Sequence, residues 1–192
     1  MRSILICVAL ANMLVSPAFV HLATADTDSF VAGVIHPLTG IDHISVMALV
    51  GIWGALVGGR AIWAWPSIFV AAMLIGFAAA AWGLQLALVE PAIAASIVVF
   101  AVLAAFRARL PVILGGAIVG LFALFHGHVH GTEAAASNLT SYAVGFTVST
   151  ASLHCAGIAV GLCIRRHVDK IASEWTKRLS TATRLISGGG LQ

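Results

Sequence analysis

Charged residues are nearly missing from the central part of this 192-residue chain. Between Phe30 and Ile164 only six residues are charged, whereas a soluble globular domain carries about a quarter of its residues as Asp, Glu, Lys or Arg. With 60% hydrophobic residues overall, the composition also excludes a disordered chain. It excludes a nucleic-acid-binding protein as well, despite the net charge of +3. The sequence therefore predicts an all-α polytopic membrane protein.

The first 25 residues have the layout of a secretory signal peptide. Met1 and Arg2 form a positive start, residues 4–15 are apolar, and residues 23–25 are small residues in the A-x-A pattern. The apolar run is too short for a transmembrane helix, which needs about 20 residues. We predict a cleavable signal at residues 1–25; an uncleaved first transmembrane helix is the alternative.

Five apolar segments predict transmembrane helices, and short connections between them predict one bundle over residues 26–164. The segments are 34–58, 61–82, 87–106, 110–125 with an extension into the following histidines, and 141–164. After residue 25, every Lys and Arg lies at Arg60, at Arg107 and Arg109, or beyond Ile164. Because positive loops stay in the cytoplasm, we expect a bacterial inner-membrane protein with a periplasmic N-terminus and a cytoplasmic C-terminal tail.

Residues 165–192 differ in character from the bundle. Apolar residues recur there at steps of three and four, at Val168, Ile171, Trp175, Leu179, Ala182 and Ile186, while basic residues occupy other faces. This pattern predicts a basic amphipathic helix on the anionic cytoplasmic leaflet.

The first predicted span contains ionisable residues, namely His36, Asp42 and His43. Such groups cost several kcal/mol within a span and indicate function by default. A helix cap and a structural Asp–His hydrogen bond are the alternative, but no cation in that span neutralises Asp42, and a bound metal cation would. Seven helical residues separate His36 from His43 by about 10 Å along the axis. One ion can contact both only if Pro37 and Gly40 break the helix; otherwise the two histidines are successive stations.

A second group follows the fourth predicted span and comprises His126, His128, His130 and Glu133. At positions i and i+4, His126 and His130 would present two imidazoles on one helix face, whereas His128 lies about 200° away. A flexible loop that gathers metal weakly is the alternative. His154, midway along the last span, is either a deeper metal station or a structural hydrogen-bonding residue. Imidazole and carboxylate together suit Ni, Co, Zn or Mn.

The two groups resemble the signature motifs of the HupE/UreJ family. The matching residues are His36-x5-Asp42-His43 and Phe125-His126-Gly-x-Val-His130-Gly131-x-Glu133, and the resemblance covers roughly residues 1–164. It implies a small inner-membrane secondary permease for nickel, sometimes cobalt, that serves hydrogenase or urease maturation. The resemblance also implies that six residues bind metal, namely His36, Asp42, His43, His126, His130 and Glu133. His154 lies in a third stretch that is similar to the family. Family members are described with six spans, and residues 184–189 look like the start of a sixth that stops.

We therefore expect an uptake transporter for Ni²⁺ or Co²⁺ that is not an enzyme and holds no permanent cofactor. The expected partners are the divalent ion and the lipid bilayer, without nucleic acid, and the oligomeric state is not indicated. The candidate metal residues are His36, Asp42, His43, His126, His128, His130, Glu133 and His154. The alternatives are a membrane haem b protein with histidine axial ligands and a membrane metal chaperone that does not transport.

Overall fold

The computed structural model describes residues 29–134 and 138–188, with side chains through residue 181. Every regular element among these residues is an α-helix. The helices are α1 (Ser29–Thr39), α2 (Ile41–Val57), α3 (Ala61–Ala81), α4 (Val89–Ala105), α5 (Val112–Thr132) and α6 (Leu139–Gly188). The predicted all-α class is confirmed. The predicted signal peptide, residues 1–25, lies outside the described residues.

Several of these helices match the dimensions of a bilayer. By length and composition α3, α5 and α6 can each cross a membrane, and the bent pair α1–α2 would make a fourth span. The apolar helix α4 has 17 residues and is shorter than the other candidates. The prediction of an all-helical membrane protein is confirmed, with three helices of membrane-spanning length among the described residues, or four if the bent pair is one span. The helix α4 corresponds to the third predicted span but is shorter than a span requires. The helix α5 runs on to Thr132, so the histidine segment is helical and not a flexible loop.

The first span is broken at Gly40, where α1 and α2 meet at a bend of 80°. Pro37 lies in the last turn of α1, where its ring removes a backbone hydrogen-bond donor. A Cβ atom on Gly40 would lie 2.6 Å from Oδ1 of Asp42 and 2.9 Å from Nδ1 of His43. Glycine is therefore needed at the bend because these two side chains fold back over it. Of the two arrangements left open by the sequence, the structure has the broken helix.

Two helix seams hold the bundle together. The most extensive packing joins α3 to α5 and joins α6 to both α1 and α2. At the first seam, a Cβ atom on Gly127 would overlap the backbone oxygen of Met73. At the second, a Cβ atom on Gly157 would overlap the backbone oxygen of Ala48. Small residues thus let the helices approach closely, which fixes the position of the histidine-bearing half of α5.

Two tryptophans pack against each other toward the opposite end of the bundle. The rings of Trp53 and Trp65 stack with their centroids 3.9 Å apart, and both residues are fully buried. Their Nε1–H groups donate to the backbone oxygens of Ala108 and Val112, each at 3.0 Å. These bonds tie α2 to the loop that carries Arg107 and Arg109, and α3 to the first residue of α5 directly after that loop. The basic loops and the histidine motifs therefore lie at opposite ends of the bundle.

The last helix is continuous through the boundary predicted at residue 164. It has 50 residues, which correspond to roughly 75 Å if the helix is straight. A hydrocarbon core of about 30 Å accommodates less than half of that length. Trp175, on the apolar stripe of the tail, is 61% exposed. Contact of this tail with the anionic leaflet stays a prediction.

Candidate metal site

Four histidines from three helices meet at one end of the bundle. His36 comes from α1, His43 from α2, and His126 and His130 from α5. The ring centroid of His130 lies 4.8 Å from that of His36 and 4.8 Å from that of His43. The rings of His43 and His126 are 5.2 Å apart. We call these four residues the histidine cluster. It exists because the bend at Gly40 brings His36 back beside His43.

The histidines of α5 are held firmly in place. His126 and His130 are one helical turn apart on the same face, and both are fully buried. The ring of His130 stacks on that of Phe146 in α6, with centroids 5.0 Å apart and an interplanar angle of 6°. The close approach at Gly127 sets the height of this turn of α5 against α3. Packing on two sides therefore fixes the orientation of these imidazoles.

Several ring nitrogens of the cluster are buried and accept or donate no hydrogen bond within the described residues. They are Nε2 of His43, Nδ1 of His126 and both nitrogens of His130, together with Nε2 of the deeper His154. Each buried polar atom without a partner costs about 1–3 kcal/mol. Neighbouring protein atoms do not account for so many in one place. A neutral imidazole has one lone-pair nitrogen, and a cation would satisfy that nitrogen in each of these rings.

Hydrogen bonds decide which nitrogen carries the lone pair in two of these rings. Nδ1 of His43 lies 2.9 Å from Oδ1 of Asp42, and Nδ1 of His154 lies 2.7 Å from the backbone oxygen of Met47. A carboxylate and a carbonyl only accept hydrogen bonds, so Nδ1 carries the proton in both neutral rings. Nε2 is then the lone-pair nitrogen in each, and it is the buried atom without a partner. Metal-binding histidines are oriented by partners of this kind.

Asp42 differs from the expectation of a carboxylate buried within a span. It lies in the first turn of α2, and its side chain is 37% exposed. Its Oδ1 also accepts the backbone N–H of His43 at 2.9 Å. A helix N-terminus favours a negative charge, so the protein itself stabilises part of this carboxylate. The geometry makes Asp42 the residue that orients His43 and brings negative charge beside the cluster.

Glu133 brings a second carboxylate to the outer edge of the cluster. It follows directly after α5, and its Oε2 lies 3.4 Å from Nε2 of His36. Burial raises the pKa of Glu133 above the ordinary value for a glutamate. The side chain is about one third exposed, so solvent reaches it. Glu133 is thus a partly exposed carboxylate beside the more buried imidazoles.

His154 lies apart from the cluster, behind Phe69. The ring centroid of Phe69 is 5.7 Å from that of His126 and 5.0 Å from that of His154. His154 is fully buried, and its bond to Met47 joins α6 to α2. An aromatic ring therefore separates the histidine cluster from this deeper imidazole.

The structure does not bring His128 into the cluster. Its Nε2 lies 2.8 Å from the backbone oxygen of Leu84 and 3.3 Å from the backbone nitrogen of Leu86. Both residues belong to the α3–α4 connection. His128 is buried, as His126 and His130 are, but it contacts this loop from the opposite face of α5.

Two polar residues beside the cluster were missed by sequence reasoning. The hydroxyl of Tyr142 is buried without a partner among the described residues, and its ring centroid lies 6.0 Å from that of His36. Oγ of Ser96 lies 3.2 Å from Nε2 of His126. Tyr142 is the single tyrosine of the chain, and Ser96 is a polar residue in an apolar helix. A polar residue within an otherwise apolar segment was the sequence feature that could have identified each of them.

The donor set matches a first-row transition metal. One ligand atom from each of His36, His43 and His130 lies within 4.8 Å of the others. Ligand atoms bound at 2.0–2.1 Å lie at most about 4.2 Å apart, so a small closing movement would complete a site. Imidazole nitrogens with nearby carboxylates suit Ni, Co or Zn better than Ca or Mg.

The chain was compared with known proteins. A family described as HupE / UreJ protein matches over residues 8–191, which includes the basic tail. Protein HupE of Rhizobium leguminosarum bv. viciae is 42% identical over 134 residues, which cover 69% of this chain and 70% of that protein. No solved structure matches. The resemblance drawn from the two histidine motifs is confirmed, and the chain belongs to the HupE/UreJ family.

Proposed function

We propose that the protein is a secondary transporter that takes Ni²⁺, or Co²⁺, through the bacterial inner membrane into the cytoplasm. The observation that carries this proposal is the histidine cluster, in which imidazoles converge from three helices. Within the described residues, those of His43, His126 and His130 have buried ring nitrogens without a hydrogen-bond partner. A span made of two helices bent around a binding site is the arrangement used by secondary transporters. Membership of the HupE/UreJ family supports the same assignment.

The contacts suggest the order in which an ion meets these groups. Glu133 and His36 lie at the rim and are in contact with each other. His130 contacts both His36 and His43, and His43 contacts His126. We propose that the ion passes along this series of imidazoles and then past Phe69 to His154. Each step exchanges one imidazole ligand for the next.

The distribution of charge suits an ion that must leave again. Both carboxylates, Asp42 and Glu133, are partly exposed at the outer rim, where they attract a cation. The deeper groups, His126 and His154, are imidazoles that bind metal in the neutral state. A path must bind strongly enough to admit an ion and weakly enough to release it. Charge at the entrance followed by neutral ligands satisfies both conditions.

The membrane potential is the driving force in this proposal. From the distribution of basic residues, we propose that the histidine end faces the outside and the arginine end faces the cytoplasm. A potential that is negative inside is worth about 2.3 kcal/mol per charge per 100 mV, and thus about 4.6 kcal/mol for a divalent ion. This is sufficient to concentrate the ion inward without a nucleotide.

The test is nickel flux into proteoliposomes that contain a metal-sensitive dye, under an imposed potassium diffusion potential. We expect flux for the unaltered protein that grows with an inside-negative potential. His130→Ala should abolish it, whereas His167→Ala, at an exposed position in the tail, should leave it intact. Tight nickel binding without flux would support the metal chaperone instead. A Soret absorption band in the purified protein would support the haem protein.

A further inference from the structure

Ser96 lies in α4, which brings no histidine to the cluster, yet its side chain contacts the cluster directly. The residue is fully buried. Its Oγ lies 2.6 Å from the backbone oxygen of Ile93 in the preceding turn and 3.2 Å from Nε2 of His126 in α5. The short helix α4 thus has one polar contact with the group of imidazoles.

The proton positions in this pair follow from the two distances. A carbonyl oxygen only accepts, so the 2.6 Å contact means that the hydroxyl of Ser96 donates its single proton to Ile93. The lone pairs of that hydroxyl then face Nε2 of His126, and the contact is a hydrogen bond only if Nε2 carries a proton. In the neutral ring, Nδ1 of His126 is then the nitrogen with the lone pair. Nδ1 is also the buried atom without a partner.

We propose that Ser96 is a positioning residue that selects the Nε2–H tautomer of His126 and so makes Nδ1 the nitrogen offered to the metal. The link to metal rests on the proposed function, whereas the tautomer assignment rests on the hydrogen bonds alone. Each of three rings then has an acceptor that fixes its tautomer, because Asp42 and a backbone oxygen hold the proton on Nδ1 of His43 and of His154, and Ser96 holds it on Nε2 of His126. Ser96 supplies for His126 what those partners supply for the other two.

Removal of the hydroxyl separates this role from packing. In Ser96→Ala the proton on Nε2 of His126 loses its acceptor, while the change in side-chain volume is small. Loss of a partner that orients a ligand costs 10- to 100-fold in metal affinity. We therefore expect the apparent nickel dissociation constant and KM for uptake to rise by that factor. Ser96→Thr keeps a hydroxyl that can bond the preceding turn, so it should restore most of the affinity.

The matched control is Ser173→Ala. Its hydroxyl also donates to a backbone oxygen three residues earlier, that of Lys170 at 2.8 Å, but it lies in the exposed tail far along α6. It removes the same kind of bond without any contact to an imidazole. We expect unchanged nickel affinity and an unchanged histidine spectrum in this variant.

The deciding experiment is ¹⁵N NMR of histidine-labelled, metal-free protein in nanodiscs, with His126→Asn used to assign the resonance. We expect a protonated Nε2 and an unprotonated Nδ1 for His126 in the unaltered chain, and a different tautomer distribution in Ser96→Ala. A protonated Nδ1 in the unaltered chain, or an unchanged distribution in Ser96→Ala, would overturn the proposal. A changed tautomer with unchanged nickel affinity would overturn it too, because Nδ1 would not be the ligand. If the unaltered protein binds no nickel, the proposed function fails and the NMR result alone decides the role of Ser96.

Discussion

Nδ1 of His43 lies 2.9 Å from Oδ1 of Asp42, although the two residues are adjacent in one helix. Neighbouring side chains on a helix lie about 100° apart and do not normally meet. This pair meets because Asp42 is in the first turn of α2 and Gly40, just before it, has no side chain to interfere. The bend in the first span and the orientation of His43 therefore have the same local cause.

We expect Asp42→Asn to lower nickel affinity by 10- to 100-fold while the protein stays folded. The amide oxygen of Asn can still accept the two bonds from His43, so the variant removes mainly the negative charge beside the cation. Nickel binding to purified protein and uptake at limiting nickel are the measurements. Asp169→Asn, an exposed acid in the tail, is the matched control and should have no effect. Uptake close to normal in Asp42→Asn would mean that this residue is purely structural.

Gly40→Ala should disrupt the histidine cluster without unfolding the bundle. Its Cβ atom would lie 2.6 Å from Oδ1 of Asp42, so the Asp42–His43 pair must move. We expect loss of nickel affinity with an unchanged helical circular dichroism spectrum. In the control Gly120→Ala, the nearest atom is a side-chain methyl carbon of Ile68 at 3.3 Å, which can shift. Equal nickel affinity in the two variants would contradict a role for the bend in assembling the site.

Replacement of His128 should affect stability more than metal binding. Its Nε2 contacts the backbone of the α3–α4 connection at Leu84, so His128→Ala loses a bond worth about 1 kcal/mol. We expect a lower melting temperature with nearly unchanged nickel uptake. His126→Ala and His130→Ala should both lose most uptake, because their rings belong to the cluster. Equal loss of uptake in all three variants would indicate that the histidines collect metal without helical order.

Acidification of the outer medium should weaken nickel binding. Imidazoles bind metal only when deprotonated, and an unperturbed histidine has a pKa of about 6.5. Because burial raises the pKa of Glu133, this carboxylate also loses its charge at a higher pH than an ordinary glutamate as the medium is acidified. Both effects have the same sign, so affinity falls with pH. The check is the nickel dissociation constant measured between pH 8 and pH 5.

Glu133→Gln should make that pH dependence shallower, because one titrating group of the rim is removed. Glu174→Gln, in the exposed tail, is the control and should leave the profile unchanged. Uptake that rises steadily as the external pH falls would contradict the potential-driven proposal and would indicate proton-coupled import.

The helical class was predictable from the sequence, and so were the sets of residues that share one face of a helix. Apolar segments of about 20 residues predict spans, and these segments agree with the helices from α3 onward to within a few residues, apart from the longer extent of α5 and α6. His126 and His130 fall on one face, and His128 on another, because helix periodicity is a local property. The two histidine motifs also identified the family correctly.

The geometry of the bend in the first span was not predictable from the neighbouring residues alone. Pro37 and Gly40 indicated that the helix could break there, but not in which direction the chain would turn. The 80° bend brings His36 against His130, a residue nearly one hundred positions further along the chain. The direction of the bend depends on how α1 and α2 pack on α6, and the sequence of this segment contains no information about that packing.

Residue types, spacing and helix faces were thus determined by the sequence itself, because each depends on neighbours within a few turns. Tertiary structure decided which faces meet. It placed Ser96 of α4 against His126 of α5, put Asp42 at the rim and not deep in a span, and turned His128 to a loop. Such contacts join residues that are far apart along the chain, and they form only when all helices pack around one core.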